Sequence, residues 1–463
     1  MYTLSSKLKL FSIVLMVVGL LGLVYGFIAV PSTIEDVREL VAHDDHGEMV
    51  EMPLTGQTED ELEDDARGFD YVPSEHKVET DRTDEEVHKM AEDAELVHLE
   101  HILHQLQNKP WAALYVAAFF FFMISLGVLA FYAIQFAAQA GWSPVLFRVM
   151  EGITAYLLPG GVIMFVLLVL SGLHLNHLFV WMDPEVVAHD EIIQNKQGYL
   201  NVPFFLIRAA IYIGGWAFFR YLLTRNSRRQ DDAKDITWYK KNFKLSAGFL
   251  VFFIVTESMM SWDWIMSLDP HWFSTLFGWY VFSSMFVSGI TVIALVTIYL
   301  KSRSYLPFVN DSHIHDLAKF MFGISIFWTY LWFSQFLLIW YSNIPEEVTY
   351  FVARIEDYGL VFFGMVAVNF LFPVLLLMNS DFKRVNWFVV MTGIVILLGH
   401  YLDIFVMVMP ATVGESWFIG IPELSALAFF GGLFIFVVFS ALTKAPLLAK
   451  GNPFIKESEH YHY

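Results

Sequence analysis

The chain has 463 residues, 56% of them hydrophobic and 17% aromatic, with a formal net charge of −19. So apolar a composition is rare in a soluble globular chain. With no cysteine, the chain forms no disulfide and offers no iron–sulfur ligand, thiolate haem ligand or thioether haem attachment of its own. The charge is local: residues 31–108 hold 24 of the 47 acidic residues and 5 of the 28 basic ones, leaving 23 of each sign elsewhere.

A bilayer core about 30 Å thick is crossed by roughly 20 helical residues, whose backbone groups must pair within their own segment. Apolar runs of that length recur along the chain. The first, roughly Leu10–Val30, follows Lys7 and Lys9. It is too long for the core of a typical signal peptide, so residues 1–30 read as a retained transmembrane anchor. Residues 31–108 read as an acidic insertion. Glu59–Asp65 is too charged for a core and reads as irregular. Asp84–Gln107 reads as helix, with Val87, Ala91, Ala94, Val97 and His101 or Ile102 at helical spacing. The insertion's seven histidines, among them His98, His101 and His104, read as a solvated face. Further spans fall at roughly 112–138, 152–180, 203–224, 245–266, 273–300, 317–341, 359–378, 387–409 and 418–443. The expected fold class is therefore an all-α integral membrane protein of about ten transmembrane helices.

Basic residues in short loops set the orientation. Arg225, Arg228, Arg229, Lys234, Lys240, Lys241 and Lys244 follow the fourth span, Lys301 and Arg303 the sixth, Lys383 and Arg384 the eighth, and Lys444, Lys450 and Lys456 the tenth. All share a side with Lys7 and Lys9. The opposite loops offer few cations, such as Lys196 and Arg354. Both termini are expected to be cytoplasmic and the insertion periplasmic.

Two short matches suggest an internal repeat. Val180-Trp181 followed by Pro184-Glu185-Val186 resembles Ile339-Trp340 followed by Pro345-Glu346-Glu347-Val348, and Asp263 precedes Pro270 by the spacing that separates Asp403 from Pro410. Both imply a shift of four spans, which preserves orientation. The reading is two parallel four-helix bundles, spans 2–5 (109–266) and 6–9 (267–410), with spans 1 and 10 flanking and a tail to 463.

Ionisable groups inside spans are costly and face a bundle interior or water. Glu257 lies about twelve residues into span five, roughly 18 Å along the helix. It is protonated or paired there, as a proton relay, a quinone contact or a packing hydrogen bond. Asp263 follows on the same span. His174 and His177 are expected to share a face of span three, and His400 and Asp403 a face of span nine. A His–Asp pair suits proton transfer near neutral pH. Span seven adds Tyr330, Ser334 and Gln335, and span eight Asn369. Arg208 in span four needs an anionic partner. Glu151 at the inner end of span three reads as a cytoplasmic access point. Haem b would need histidines on facing helices, and the repeat sets His174 and His177 in a different bundle from His400. Neither a catalytic residue nor a metal site is expected.

Two longer stretches carry a resemblance: Trp262-Asp263-Trp264-Ile265-Met266-Ser267-Leu268-Asp269-Pro270-His271-Trp272-Phe273-Ser274-Thr275 and Tyr341-Ser342-Asn343-Ile344-Pro345-Glu346-Glu347. From residue 111 onward the chain resembles the F-subunit family of bacterial alternative complex III, labelled quinone-binding subunit 2 of a quinol:cytochrome c oxidoreductase. It is similar to the NrfD-like membrane subunits of polysulfide reductase. The resemblance implies two four-helix bundles with flanking helices, in a complex of the bacterial inner membrane. That complex oxidises menaquinol or a related quinol and passes electrons to a c-type haem or directly to a terminal oxidase. Iron–sulfur clusters and haems sit on partner subunits. A second NrfD-like subunit beneath the iron–sulfur subunit is the better placed for the working quinol site, which shifts weight here to a proton pathway or a structural role. The expected function is a cofactor-free membrane subunit of such a complex, with quinone or menaquinone the one candidate ligand and no nucleic-acid partner. A secondary transporter and a scaffold subunit are the alternatives.

Overall fold

A computed structural model describes residues 2–44 and 84–462; the stretch Glu59–Asp65 lies outside them. Among the described residues all regular structure is helical: α1 (Ser6–Ile28), α2 (Ile34–Asp44), α3 (Asp84–Ala137), α4 (Phe147–Ile153), α5 (Leu157–Gly172), α6 (Pro184–His189), α7 (Glu191–Lys196), α8 (Val202–Gln230), α9 (Thr237–Trp264), α10 (Phe277–Ser302), α11 (Asp311–Ser342), α12 (Pro345–Glu356), α13 (Gly359–Val366), α14 (Phe372–Leu377), α15 (Asn386–Thr412), α16 (Ile421–Leu442) and α17 (Ile455–Glu459). Ten segments among them are long and apolar enough to cross a bilayer, so this is a multi-pass membrane protein.

Contacts separate residues 30–107 from the rest of the chain. In that segment Thr33 and Asp36 cap α2 reciprocally: Asp36 N donates to Thr33 Oγ1 at 3.2 Å and Thr33 N to Asp36 Oδ2 at 3.0 Å. Arg38 meets Glu95 at 3.3 Å. His98, His101 and His104 are exposed. The helix expected over 84–107 is present, as the start of α3, which runs through Pro110 without a break.

In the body, α5 packs on α8 and α8 on α9. α3 completes this first bundle: Phe122 lies 6.1 Å from Trp216 and 5.9 Å from Trp264, centroid to centroid, and Tyr115 donates to the Trp264 carbonyl at 2.7 Å. In the second bundle α10 packs on α11 and α15, and α13 and α14 close the group against α15 and α11. The bundles meet where α3 crosses α10. A Cβ on Gly127 would stand 2.4 Å from Met285 O, and one on Gly289 2.9 Å from Val128 N, so the backbones touch. The apolar windows of α3 and α10 are each 89% buried, more than any other span. These are spans two and six, which the repeat pairs. α1 packs on α16, and α16 on α4.

One span departs from expectation. Span three covers Pro144–Gly172 rather than 152–180. Its apolar run continues past the helix end, but His174 adopts a left-handed backbone with φ 57°. The Asn176 carboxamide then takes the Ser171 hydroxyl at 2.7 Å and the Leu178 N–H at 3.3 Å, which turns the chain.

Candidate functional site

The first bundle buries Asp263 completely and gives it a cation. Arg208 on α8 grips the carboxylate with both arms, Nε to Oδ2 at 2.7 Å and Nη2 to Oδ1 at 2.8 Å. Tyr212, one turn on, donates to Oδ2 at 3.1 Å. Asn201 caps α8 and Tyr199 offers its carbonyl to Arg208 at 3.0 Å and its ring at 3.9 Å. A bidentate, satisfied ion pair of this kind fixes two helices; protonating Asp263 would strand a buried guanidinium. Arg208 thus has the partner its depth demands.

The second bundle treats Asp403 differently. It too is fully buried, on α15. Its hydrogen-bond partners are Tyr280 of α10, whose hydroxyl donates to Oδ1, and Trp328 of α11, whose Nε1 donates to Oδ2 at 2.8 Å. No Arg or Lys pairs with it among the described residues. His400, one turn back on the same face, sets Nδ1 3.3 Å from Oδ2 and 2.9 Å from Ser284 Oγ. The other ring nitrogen, Nε2, is buried with no partner among the described residues. Asn369 reaches toward this face from a π-helical turn, Ala367–Leu371, with both amide atoms unpartnered. A Cβ on Gly399, beside His400, would stand 2.1 Å from Asn369 Oδ1, so only glycine leaves room for the amide. Ser325 on α11 also has an unpartnered hydroxyl. The arrangement is a carboxylate and an imidazole free to exchange a proton, amid polar groups with unused hydrogen-bonding capacity.

The other expected residues divide. Glu257 is buried on α9, with Oε1 unpartnered and Oε2 3.5 Å from Ser258 Oγ. Gln335 is buried, with Nε2 unpartnered. Tyr330 is 64% exposed on the outside of α11 and lines no interior; an aromatic among apolar neighbours gives no sign of which face it takes. His174 and His177 are exposed beyond the end of α5 and share no helix face. They cannot oppose His400 as haem ligands. Glu151 is no open access point: it takes Arg148 Nη1 at 2.5 Å and the Tyr132 hydroxyl at 2.9 Å, and Arg148 also binds Asp231. That network clamps the ends of α4 and α8. Among the described residues no three His, Asp or Glu side chains gather as a metal site.

Sequence reasoning missed Tyr280 and Trp328, which nothing distinguishes from other membrane aromatics, and Arg148, which the i,i+3 spacing to Glu151 could have suggested. It also passed over Arg354 as a loop residue. Arg354 is 3% exposed and lines a small void with Tyr280, Trp332, Gln335, Tyr350 and Met407. The void has room for about one water-sized body. No known protein-family profile matches the chain, and no curated protein does.

Proposed function

We propose that this chain is a cofactor-free membrane subunit of a quinol:cytochrome c or quinol:oxidase electron-transfer complex, and that it carries protons through its second bundle. The complex assignment rests on the likeness of 262–275 and 341–347 to the alternative complex III family. The proton role rests on one contrast: Asp263 is locked to Arg208, whereas Asp403 has only neutral donors and His400 beside it. His400 takes a proton at Nε2 and passes the one on Nδ1 to Asp403, then returns by ring tautomerisation. The void beside Tyr280 admits about one water-sized body and is too small for a quinone ring. The distribution of Lys and Arg supports cytoplasmic termini and a periplasmic insertion in the inner membrane of a bacterium.

The test is mild-detergent purification through a tag on this chain, with quinol:cytochrome c turnover and proton release measured in proteoliposomes. Multihaem and iron–sulfur partners are expected to co-purify. Asp403→Asn keeps the shape and one acceptor oxygen for Trp328 and turns Nδ2 to the Tyr280 hydroxyl, which can accept, so it should assemble, with proton release down by about tenfold or more. A chain that purifies alone, or an assembled variant with unchanged proton release, overturns the reading. Because the chain has no cysteine, topology is checked with single cysteines. An impermeant thiol reagent on spheroplasts should label Glu185→Cys and not Lys234→Cys.

A further inference from the structure

The void bounded by Arg354 is also lined by Gln335 and Trp332, and each of the three residues has a buried nitrogen donor without an acceptor: Arg354 Nε, Gln335 Nε2 and Trp332 Nε1. Gln335 and Trp332 are three apart on α11 and so share a face. Arg354 comes from α12, where its guanidinium lies 3.3 Å from the Tyr350 ring centroid. That ring stacks on Trp272 at 3.8 Å. The two Nη atoms of Arg354 donate to backbone carbonyls, Tyr350 O at 2.7 Å and Met407 O at 3.5 Å. Those contacts satisfy hydrogen bonds but supply no negative charge. No carboxylate makes a direct ion pair with Arg354 among the described residues; Asp403 bonds Tyr280 and Trp328 instead.

We propose that a halide-sized monovalent anion, chloride or bromide, binds in this void between α11 and α12. Three features select it. All three open groups are donors, so the occupant is an acceptor. One donor belongs to a permanent cation buried almost completely, which is costly without a counter-charge. The space holds about one water-sized body, which excludes organic carboxylates and quinones. The remaining walls are the side chains of Tyr280, Phe351, Phe362 and Met365; aromatic ring edges carry partial positive charge and tolerate a weakly hydrated anion. A water in the same place would use the donors but bring no charge to the guanidinium.

The full chain, purified in gluconate, is titrated with chloride at fixed pH and ionic strength while its unfolding temperature and the chloride-35 NMR linewidth are followed. A saturable rise in unfolding temperature is expected, with line broadening that bromide reverses. Gln335→Leu, which removes a neutral donor, should weaken half-saturation by about tenfold or more, and Arg354→Gln should abolish the response. An unfolding temperature indifferent to chloride overturns the proposal. So does a chloride response that Gln335→Leu leaves unchanged, which would put the anion elsewhere. If Arg354→Gln fails to fold, Gln335→Leu still decides. The readouts need neither turnover nor proton release, so the result stands apart from the proton pathway.

Discussion

At the scale of single residues, two aspartates seven positions before a proline have opposite settings, and mutation should expose the difference. Asp263→Asn leaves Arg208 buried without its counter-charge, so a loss of about 3–5 kcal/mol is expected. It would be read as a collapse of the unfolding temperature or of detergent-soluble yield. The pair Arg208→Met with Asp263→Leu removes both charges and should recover most of the loss. If the double variant is as unstable as the single one, the ion pair is not what holds α8 to α9. Asp403→Asn should unfold within about 1–2 kcal/mol of wild type, because its one oxygen still accepts from Trp328 and its Nδ2 can donate to the Tyr280 hydroxyl. The depth of Asp263, Asp403, Arg208 and His400 was legible in the sequence, because an ionisable group within an apolar run has few places to go. The pairing of His400 with Asp403 was legible from their spacing of three; the partners supplied by other helices were not. Tyr280 and Trp328 are two aromatics in a chain that is 17% aromatic, and only the crossing of three helices selects them.

At the scale of elements, the peripheral helix α1 shows how such helices associate where lipid removes the hydrophobic drive between them. Its Gly19, Gly22 and Gly26 face α16. A Cβ on Gly19 would stand 2.4 Å from Phe429 N, and one on Gly26 2.9 Å from the Pro422 ring. Gly19→Leu should push α1 off α16 while the two bundles persist. A photoreactive residue at Leu15, which lies against Gly432 of α16, would lose its crosslink to α16 in that variant, and crosslinking at the wild-type level would refute the packing. The short helix α7 gives a pH prediction. Asp190 caps it, with Oδ1 taking Ile192 N at 2.9 Å and Ile193 N at 3.0 Å and Oδ2 lying 2.5 Å from His271 Nε2. Burial works to raise the Asp190 carboxyl, but the Ile193 N–H and His271 outweigh it and hold it below its ordinary value. A depressed carboxyl stabilises the fold above about pH 4 and loses that contribution as pH falls through the folded value. The group is partly solvated, so the effect is about 0.2–1 kcal/mol. Asp190→Asn should flatten the acid limb of unfolding temperature against pH; an unchanged limb would remove Asp190 from the account. Span existence was readable from apolar length, and nine of the ten spans lie close to expectation. The third did not, because Leu173, Leu175 and Leu178 prolong the apolar run beyond a turn that depends on a left-handed His174 and the Asn176 side chain.

At the scale of the molecule, the two bundles meet where α3 and α10, the two most buried spans, touch backbone to backbone. What the sequence hid is how the chain ends hold the assembly. Ser458 donates to Trp142 O at 2.6 Å and accepts from Val145 N at 3.2 Å, and its carbonyl meets His313 Nε2 at 3.0 Å. Tyr461 donates to Asp316 at 2.6 Å and accepts from Asn310 at 2.6 Å, while Gly451 N donates to Asp231 at 3.0 Å. The tail therefore bridges the connections after spans two, four and six, which belong to both bundles. Packing inside lipid discriminates weakly between helix arrangements; directional hydrogen bonds at the membrane surface discriminate well, at about 0.5–1.5 kcal/mol each. Removal of residues 451–463 should therefore lower the unfolding temperature by the equivalent of several kcal/mol, with all ten spans still inserted. Gly451→Val is the point test, since any Cβ there would stand 2.0 Å from Gln230 O, and about 1–3 kcal/mol should be lost. If the truncated chain unfolds at the wild-type temperature, the bundles are held by their apolar contacts alone, the crossing of α3 with α10 at Gly127 and Gly289 and the packing of α9 on α10.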